Sequence, residues 1–432
     1  MTTPPTGSDR HWLQRVVDVR PNEVAAMLWS CVYFFCLLSG YYIIRPFRDE
    51  MAVAGGTRNI PWLFTATMVA MFAAHPPFSA LVMKYSRRQF IPWANRFFIS
   101  NLAVFFVLLH LLPEGQQVWA GRVFFVWTAV FNLFVISNFW SFMTDVFTPE
   151  QGKRLFGFLG FGGTFGGIVG SGVTSLLAEP LRPVNLLLIS MALLELSTYA
   201  VRQLNQLSAK GQLGSRQSGS SEAVIGGSLW AGLTQAAKSP YLLGICLYML
   251  LYTIGSTTLY LQQADIADRE FADSGSRTAF FAKVDFAVNS LTLFTQVFLT
   301  GRIVRALGVA LTLTLLPALS MIGFGSLAMW PTIAVFVVFQ VLRRSGEYAV
   351  ARPAREVLYT VVPREDKYKA KHFIDTVVYR LGDQIGAWST AAMQAFGFTT
   401  SMEAIVAVPL SGLWLLTGLW LGRQQEKKAV TS

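Results

Sequence analysis

Charge is scarce in this chain. Asp, Glu, Lys and Arg make up 14% of its 432 residues, where soluble domains carry about a quarter. A chain so poor in charge and 53% apolar is neither a disordered segment nor a water-soluble α/β enzyme. Cysteine is nearly missing too. Cys31, Cys36 and Cys246 all lie inside apolar runs, so no disulfide framework or metal cluster is readable. A cleavable leader is also unreadable: the first 23 residues are too polar, and the apolar run after them is too long for a signal-peptide core. No nucleophile–base constellation, metal-ligand spacing or Gly-Lys-Ser/Thr phosphate loop is present, which argues against an enzyme, a cofactor or a metal.

What abounds is apolar sequence of membrane-spanning length, about 20 residues at a time. Twelve such stretches fall near 24–44, 60–82, 97–112, 118–145, 156–178, 183–201, 241–262, 278–299, 307–328, 330–358, 372–397 and 402–422. The expected fold is an all-α polytopic membrane protein, twelve transmembrane helices in two pseudo-symmetric six-helix halves, the major-facilitator-type layout. The expected organisation is a tail over 1–23, a six-helix bundle over 24–201, a Gly-, Ser- and Gln-rich flexible linker over 202–239, a second bundle over 240–422 and a tail over 423–432. A net charge of +11 would suggest nucleic acid in a soluble protein. Here it reflects retention of Lys and Arg on the cytoplasmic side. The N-terminal tail, even-numbered loops and C-terminal tail hold 26 of the 35, the odd loops 8, and Arg380 lies within the eleventh segment. Both termini are therefore expected in the cytoplasm, in a bacterial inner membrane, with the bilayer and a small anionic solute as partners and no nucleic acid. A monomer is compatible with the sequence, which does not fix an oligomeric state.

A weak repeat supports the two halves. Pro149 and Lys153 recur as Pro363 and Lys367, an offset of 214, and the basic run Lys84–Arg88 has a counterpart in Arg302–Arg305. Such repeats place a substrate site between the halves, near the bilayer midplane.

Charges inside membrane segments are costly, so they point to function. The tenth segment carries Arg343, Arg344, Glu347, Arg352, Arg355 and Glu356. On a straight helix, Arg344, Tyr348, Arg352, Arg355 and Tyr359 share one arc. Arg343–Glu347 and Arg352–Glu356 flank it as i,i+4 pairs. The alternative is a helix ending near Val341 and a loop beyond it, which Pro353 would suit; the periodic stripe favours the helix. In the first segment Tyr41, Arg45, Arg48 and Asp49 share a face, either as a site or as an interfacial anchor. In the eleventh, Lys371 and Asp375 form an i,i+4 pair, either as a site or as a structural bridge, with His372, Arg380 and Asp383 elsewhere round it. Lys283 and Asp285 sit too close to the start of the eighth segment to carry weight. Arginine forks suit phosphate or carboxylate ligands. The glycines from 157 to 170 include Gly163-x-x-x-Gly167 and Gly166-x-x-x-Gly170 and read as helix packing.

Arg45-Pro46-Phe47-Arg48-Asp49, Phe139-Trp140 with Thr148-Pro149-Glu150-Gln151-Gly152-Lys153-Arg154-Leu155-Phe156-Gly157, Ser345-Gly346-Glu347-Tyr348, Pro353–Tyr359 and Lys369–Asp375 resemble motifs of the bacterial and plastid ADP/ATP carrier (nucleotide exchange) family. The resemblance implies a twelve-helix antiporter exchanging ATP for ADP, with cations meeting the phosphates. Arg48 stands in the place of a substrate-critical lysine, and Lys371 matches another. Two glutamates of that family fall near Thr128 and Tyr260, so this chain departs from it there.

The leading expectation is a secondary transporter of a phosphorylated anion. Arg45, Arg48, Arg344, Arg352, Arg355 and Lys371 meet the substrate, and Asp49, Glu347, Glu356 and Asp375 hold those cations. One alternative is a proton-coupled exporter of amphipathic compounds or lipids, with Glu347, Asp375 or Asp383 titrating and a phenylalanine-lined cavity. Another is a non-transporting receptor or assembly factor on the same fold.

Overall fold

The computed structural model describes residues 19–85, 87–209, 239–363 and 370–431. Among these the chain is helical throughout and has no strand. Twelve helices run in succession: α1 Val24–Ala54, α2 Ile60–Lys84, α3 Arg87–Leu111, α4 Glu114–Val146, α5 Pro149–Leu181, α6 Leu186–Ala209, α7 Pro240–Glu270, α8 Ser274–Phe298, α9 Thr300–Met329, α10 from Ile333, α11 over 370–395 and α12 Thr400–Thr431. Among the described residues, eight spans are long and apolar enough to cross a membrane, and α8, α10 and α11 are not among them. These three carry much of the internal charge.

Two predicted boundaries move. Helix α6 continues through Ala209, so 202–209 is not linker; 210–238 lies outside the described residues. Helix α12 continues to Thr431, which makes most of the predicted tail helical. The reason is local: Arg, Gln, Glu and Lys are good helix formers, and Glu426 has a docking point. Gly308 (φ +69°) breaks α9, and the Glu426 carboxylate accepts from the Ala310 N–H just beyond the break, 3.4 Å away.

Short connections make the helices run up and down. The end where α1 begins and α12 finishes is called here the terminal face, and the opposite end the far face. Helix α1 packs on α4, α5 and α6, and α7 packs on α11 and α12. Glycine makes the tightest of these contacts. A Cβ at Gly166 or Gly170 would run into the carbonyl oxygens of Phe35 and Ser39, and Ser39 Oγ donates to the Gly166 carbonyl at 2.9 Å. The glycine run of α5 is thus a packing surface for α1. On the other side of α1, Tyr33 and Phe34 meet Phe139 and Phe142 of α4, with Phe34 stacked on Phe139 at 4.0 Å.

The first six helices meet the last six through α5–α8, α2–α11, α1–α8 and α1–α7. Shifting α5–α8 by six helices gives α11–α2, so this seam has the pseudo-symmetry of the repeat. Near the far face it carries Glu50–Arg277 (3.3 Å), Thr65–Gln384 (2.8 Å) and the Trp62–Trp388 edge contact.

A central charged cavity and a charged rim

Four helices deliver charge to one depth. Arg45 of α1, Tyr260 of α7, Asp285 of α8 and Arg344 of α10 each lie nine to eleven residues from the far end of their helix. At 1.5 Å per residue that is about 14–17 Å, half of a ~30 Å hydrocarbon core. Asp285 Oδ1 accepts from Arg45 Nη1 at 3.0 Å and lies 2.8 Å from Arg344 Nη2. One carboxylate, 3% exposed, thus bridges an arginine from each half. Its Oδ2 is buried and unpartnered, and Arg344 Nη2 makes its ion pair without hydrogen-bond alignment. One turn beyond Arg45, Asp49 Oδ1 accepts from Arg48 Nε and from the Tyr260 hydroxyl, both at 2.9 Å. Arg48 lies over the Phe125 ring.

Beside these groups is a cavity of about 130 Å³ lined by Arg45, Asp49, Asp285 and Arg344, by Tyr252, Ser256, Tyr260, Tyr348 and Tyr379, by Gln263 and Gln340, and by Phe281. Gln340 donates to Gln263 Oε1 at 3.0 Å, leaving its own Oε1 buried and unpartnered. Among the described residues Phe281 is the only wholly apolar side chain lining it.

The predicted arginine stripe does not survive as one face. Helix α10 is α-helical over Ile333–Gly346, π-helical over Glu347–Ala351 and α-helical again over Arg352–Leu358. Pro353 lacks an N–H, and its ring would clash with the Ala349 carbonyl in a regular helix. The wider turn relieves that and shifts the phase of the helix beyond it by about one residue, roughly 100°. Arg344 and Tyr348 therefore line the cavity, while Arg352 is exposed and Arg355 is buried elsewhere. The helix does continue past Val341, so the loop alternative fails.

The predicted i,i+4 pairs change with it. Glu347 binds Arg355 at 3.1 Å, both nearly buried. Arg343 is 1% exposed and points into the second half, donating to Ser320 Oγ and the Tyr252 carbonyl, both at 3.1 Å, beneath the Tyr252 and Trp414 rings. Glu356 pairs with Lys371, not with Arg352. Asp375 lies in a second π-helical segment, Ile374–Val378, and is exposed; the predicted Lys371–Asp375 bridge is replaced by Lys371–Glu356. Arg352, Glu356, Lys371 and Asp375 thus form a rim nearer the terminal face, with Arg352 and Glu356 about 12–18 Å beyond Arg344 along α10.

Sequence reasoning missed Asp285. The signal was the cap: Asp273 accepts from the Ser276 N–H at 2.9 Å and starts α8 at Ser274, four residues before the predicted start, which puts Asp285 well inside the helix. The two positions where the resembling family has glutamate separate. Thr128 is buried in α4, bonded to the Phe124 carbonyl, whereas Tyr260 lines the cavity.

Outside the membrane, at the terminal face, the buried Glu23 carboxylate accepts from the Arg20 N–H (3.0 Å), Gln151 (2.9 Å) and Arg154 (2.9 Å). Burial opposes its charge, but these donors outweigh burial and hold it below the ordinary carboxylate range.

No family model matches the chain. It is 19% identical to ADP,ATP carrier protein 1 of Chlamydia trachomatis serovar D, covering 95% of this chain and 91% of that protein. With ADP,ATP carrier protein 1 of Chlamydia pneumoniae the identity is 20%, over 94% and 92%. Among solved structures it is similar to a bacterial homologue of the iron transporter ferroportin in an inward-facing state (TM-score 0.67, 12% identity, 94% of this chain and 100% of that one). A D-xylose–proton symporter gives 0.63 at 11% identity, over 92% and 97%. The chain has the major-facilitator-type fold, an all-α polytopic membrane protein.

Proposed function

We propose that this protein is a secondary active transporter of an anionic, phosphorylated metabolite, working by alternating access, with ATP/ADP exchange the leading specific form. The observation that carries the reading is the pair Arg45 and Arg344, one from each half, converging at mid-depth on a single carboxylate. Guanidinium forks are suited to phosphate oxygens, and tyrosines and amides beside them suit the ring and polar edge of a nucleoside. Full-length similarity to ADP,ATP carriers supports the nucleotide form.

In this reading Arg45, Arg48 and Arg344 meet the anion, and Arg352 and Lys371 at the rim attract it without fixing its pose. Glu347 holds Arg355. The two halves, helices α1–α6 and α7–α12, rock around the site, with both termini in the cytoplasm of a bacterium and the chain in its inner membrane. A cavity of about 130 Å³ is smaller than the 300–1,000 Å³ of ordinary ligand pockets. A nucleotide therefore requires a wider conformation than this one. The polar lining gives an amphipathic cargo little apolar surface, which weighs against the exporter reading.

Proteoliposomes loaded with ADP and given labelled ATP outside test the exchange. Uptake that needs internal ADP and disappears in Arg344→Gln is expected. Uptake no greater than in empty liposomes, with sugar phosphates transported instead, would remove the nucleotide and leave the anion.

A further inference from the structure

The charge balance of the cavity raises a problem for any anionic cargo. Arg45, Arg48 and Arg344 face Asp49 and Asp285, so the empty site carries one surplus positive charge. A bound dianion would turn that surplus into a deficit of one, at mid-depth in a low-dielectric environment. Uncompensated charge there is expensive, so something in the site must change protonation or leave.

The two carboxylates differ in how firmly they are held. Asp49 Oδ1 takes donors from both Arg48 and Tyr260, and Arg48 is its neighbour in sequence. Asp285 has one aligned hydrogen bond, from Arg45, and its Oδ2 is buried without a partner. Around it stand Arg45 and Tyr42 of α1, with Asp49 a turn away, Arg344 and Tyr348 of α10, Tyr252 and Tyr260 of α7 and Tyr379 of α11. Helix α5 meets α8 here through Gly167, against Asn289, and Gly172, against Phe286. On α8 itself Lys283 is exposed. Among the described residues the two arginines are therefore the only cations lining the cavity with Asp285, and an anion that engages them leaves it without support.

Resting on the anion reading above, we propose that Asp285 is a proton-binding site coupled to the substrate: an anion takes Arg45 and Arg344, and the released Asp285 carboxylate takes up one proton from water. The O–H bond forms on Asp285 as the anion's oxygens replace its own at the guanidiniums. Release of the anion returns the arginines and expels the proton. Anion movement is thereby accompanied by a proton, and for a dianion or a trianion the site stays within one charge of neutrality through the cycle.

Calorimetric titration of the purified carrier with ADP, in buffers of different ionisation enthalpy, counts protons exchanged on binding. At pH 7.5, where ADP itself is almost fully ionised, the wild type should take up close to one proton per ADP more than Asp285→Asn. The variant should bind ADP at least as tightly, because its arginines are already free. Equal proton uptake by the two proteins, with binding intact, would overturn the proposal and leave the anion reading standing. If a sugar phosphate binds where ADP does not, the same titration with it decides; no binding of ADP, pyrophosphate or sugar phosphates by the wild type would remove the anion reading and this proposal together. If Asp285→Asn does not yield folded protein, the wild type alone decides. Its ADP affinity should fall about tenfold from pH 7 to pH 8, the slope of one proton, and an affinity unchanged over that unit would overturn the proposal.

Discussion

Helix α10 carries two charged clusters built from the same residue types. At mid-depth Arg344 shares Asp285 with Arg45; near the terminal face Arg352 is exposed and an exposed Glu356 pairs with a half-buried Lys371. Composition does not distinguish them, but surroundings do. Removing one partner from a buried ion pair strands a charge and costs on the order of 3–5 kcal/mol. An exposed pair is worth about 0–1 kcal/mol. The buried pairs are thus where substitution should change what the molecule binds or how firmly it holds together, and the rim is where it should change little.

The largest expected effect tests the buried side of that contrast. Glu347→Gln leaves Arg355, itself 7% exposed, without its ion-pair partner. The purified empty carrier should lose several degrees of melting temperature in a detergent unfolding scan. An unchanged melting temperature would mean that Arg355 is better solvated than its burial implies.

Next in size is binding. Arg45→Gln or Arg344→Gln removes a charge-assisted contact, so ADP affinity should fall by about tenfold to a few hundredfold, read by calorimetry. Membrane insertion and yield should be preserved. A loss below threefold for both would move the site away from this cavity.

A smaller effect comes from the rim. Lys371→Gln or Arg352→Gln should change ADP affinity by less than about threefold, and raised salt should shrink that further because exposed charges are screened. A hundredfold loss at Lys371 with little loss at Arg344 would invert the comparison.

The smallest is pH dependence at Glu23. Its folded pKa is depressed, so its contribution is complete above the ordinary Glu value of about 4.3. That contribution fades as pH falls through the lower folded value. Wild type and Glu23→Gln should therefore differ in melting temperature at pH 7 and converge toward pH 3. A gap that widens on acidification would contradict the sign.

Much of the fold was legible in the sequence. Twelve apolar stretches correspond to twelve helices, because membrane-spanning length leaves few alternatives. Arg45, Arg48, Asp49 and Arg344 stood out as charges where charge is expensive, and the structure brings them to one cavity region. Phase was not legible. A 100° wheel assumes an unbroken helix, and the π segment before Pro353 separates Arg352 and Arg355 from Arg344. Partnership across helices was not legible either: Asp285 joins Arg45 over 240 positions of chain, and no spacing rule reaches that far.

The central claim is that substrate sits at mid-depth and not at the rim. In a background with Cys31, Cys36 and Cys246 replaced by serine, single cysteines at Ser256, which lines the cavity, and at Arg352 on the rim can be labelled with a small aqueous thiol reagent. With substrate at mid-depth, ADP should slow labelling at 256 at least fivefold and leave 352 unchanged. Protection at 352 with none at 256 would contradict it.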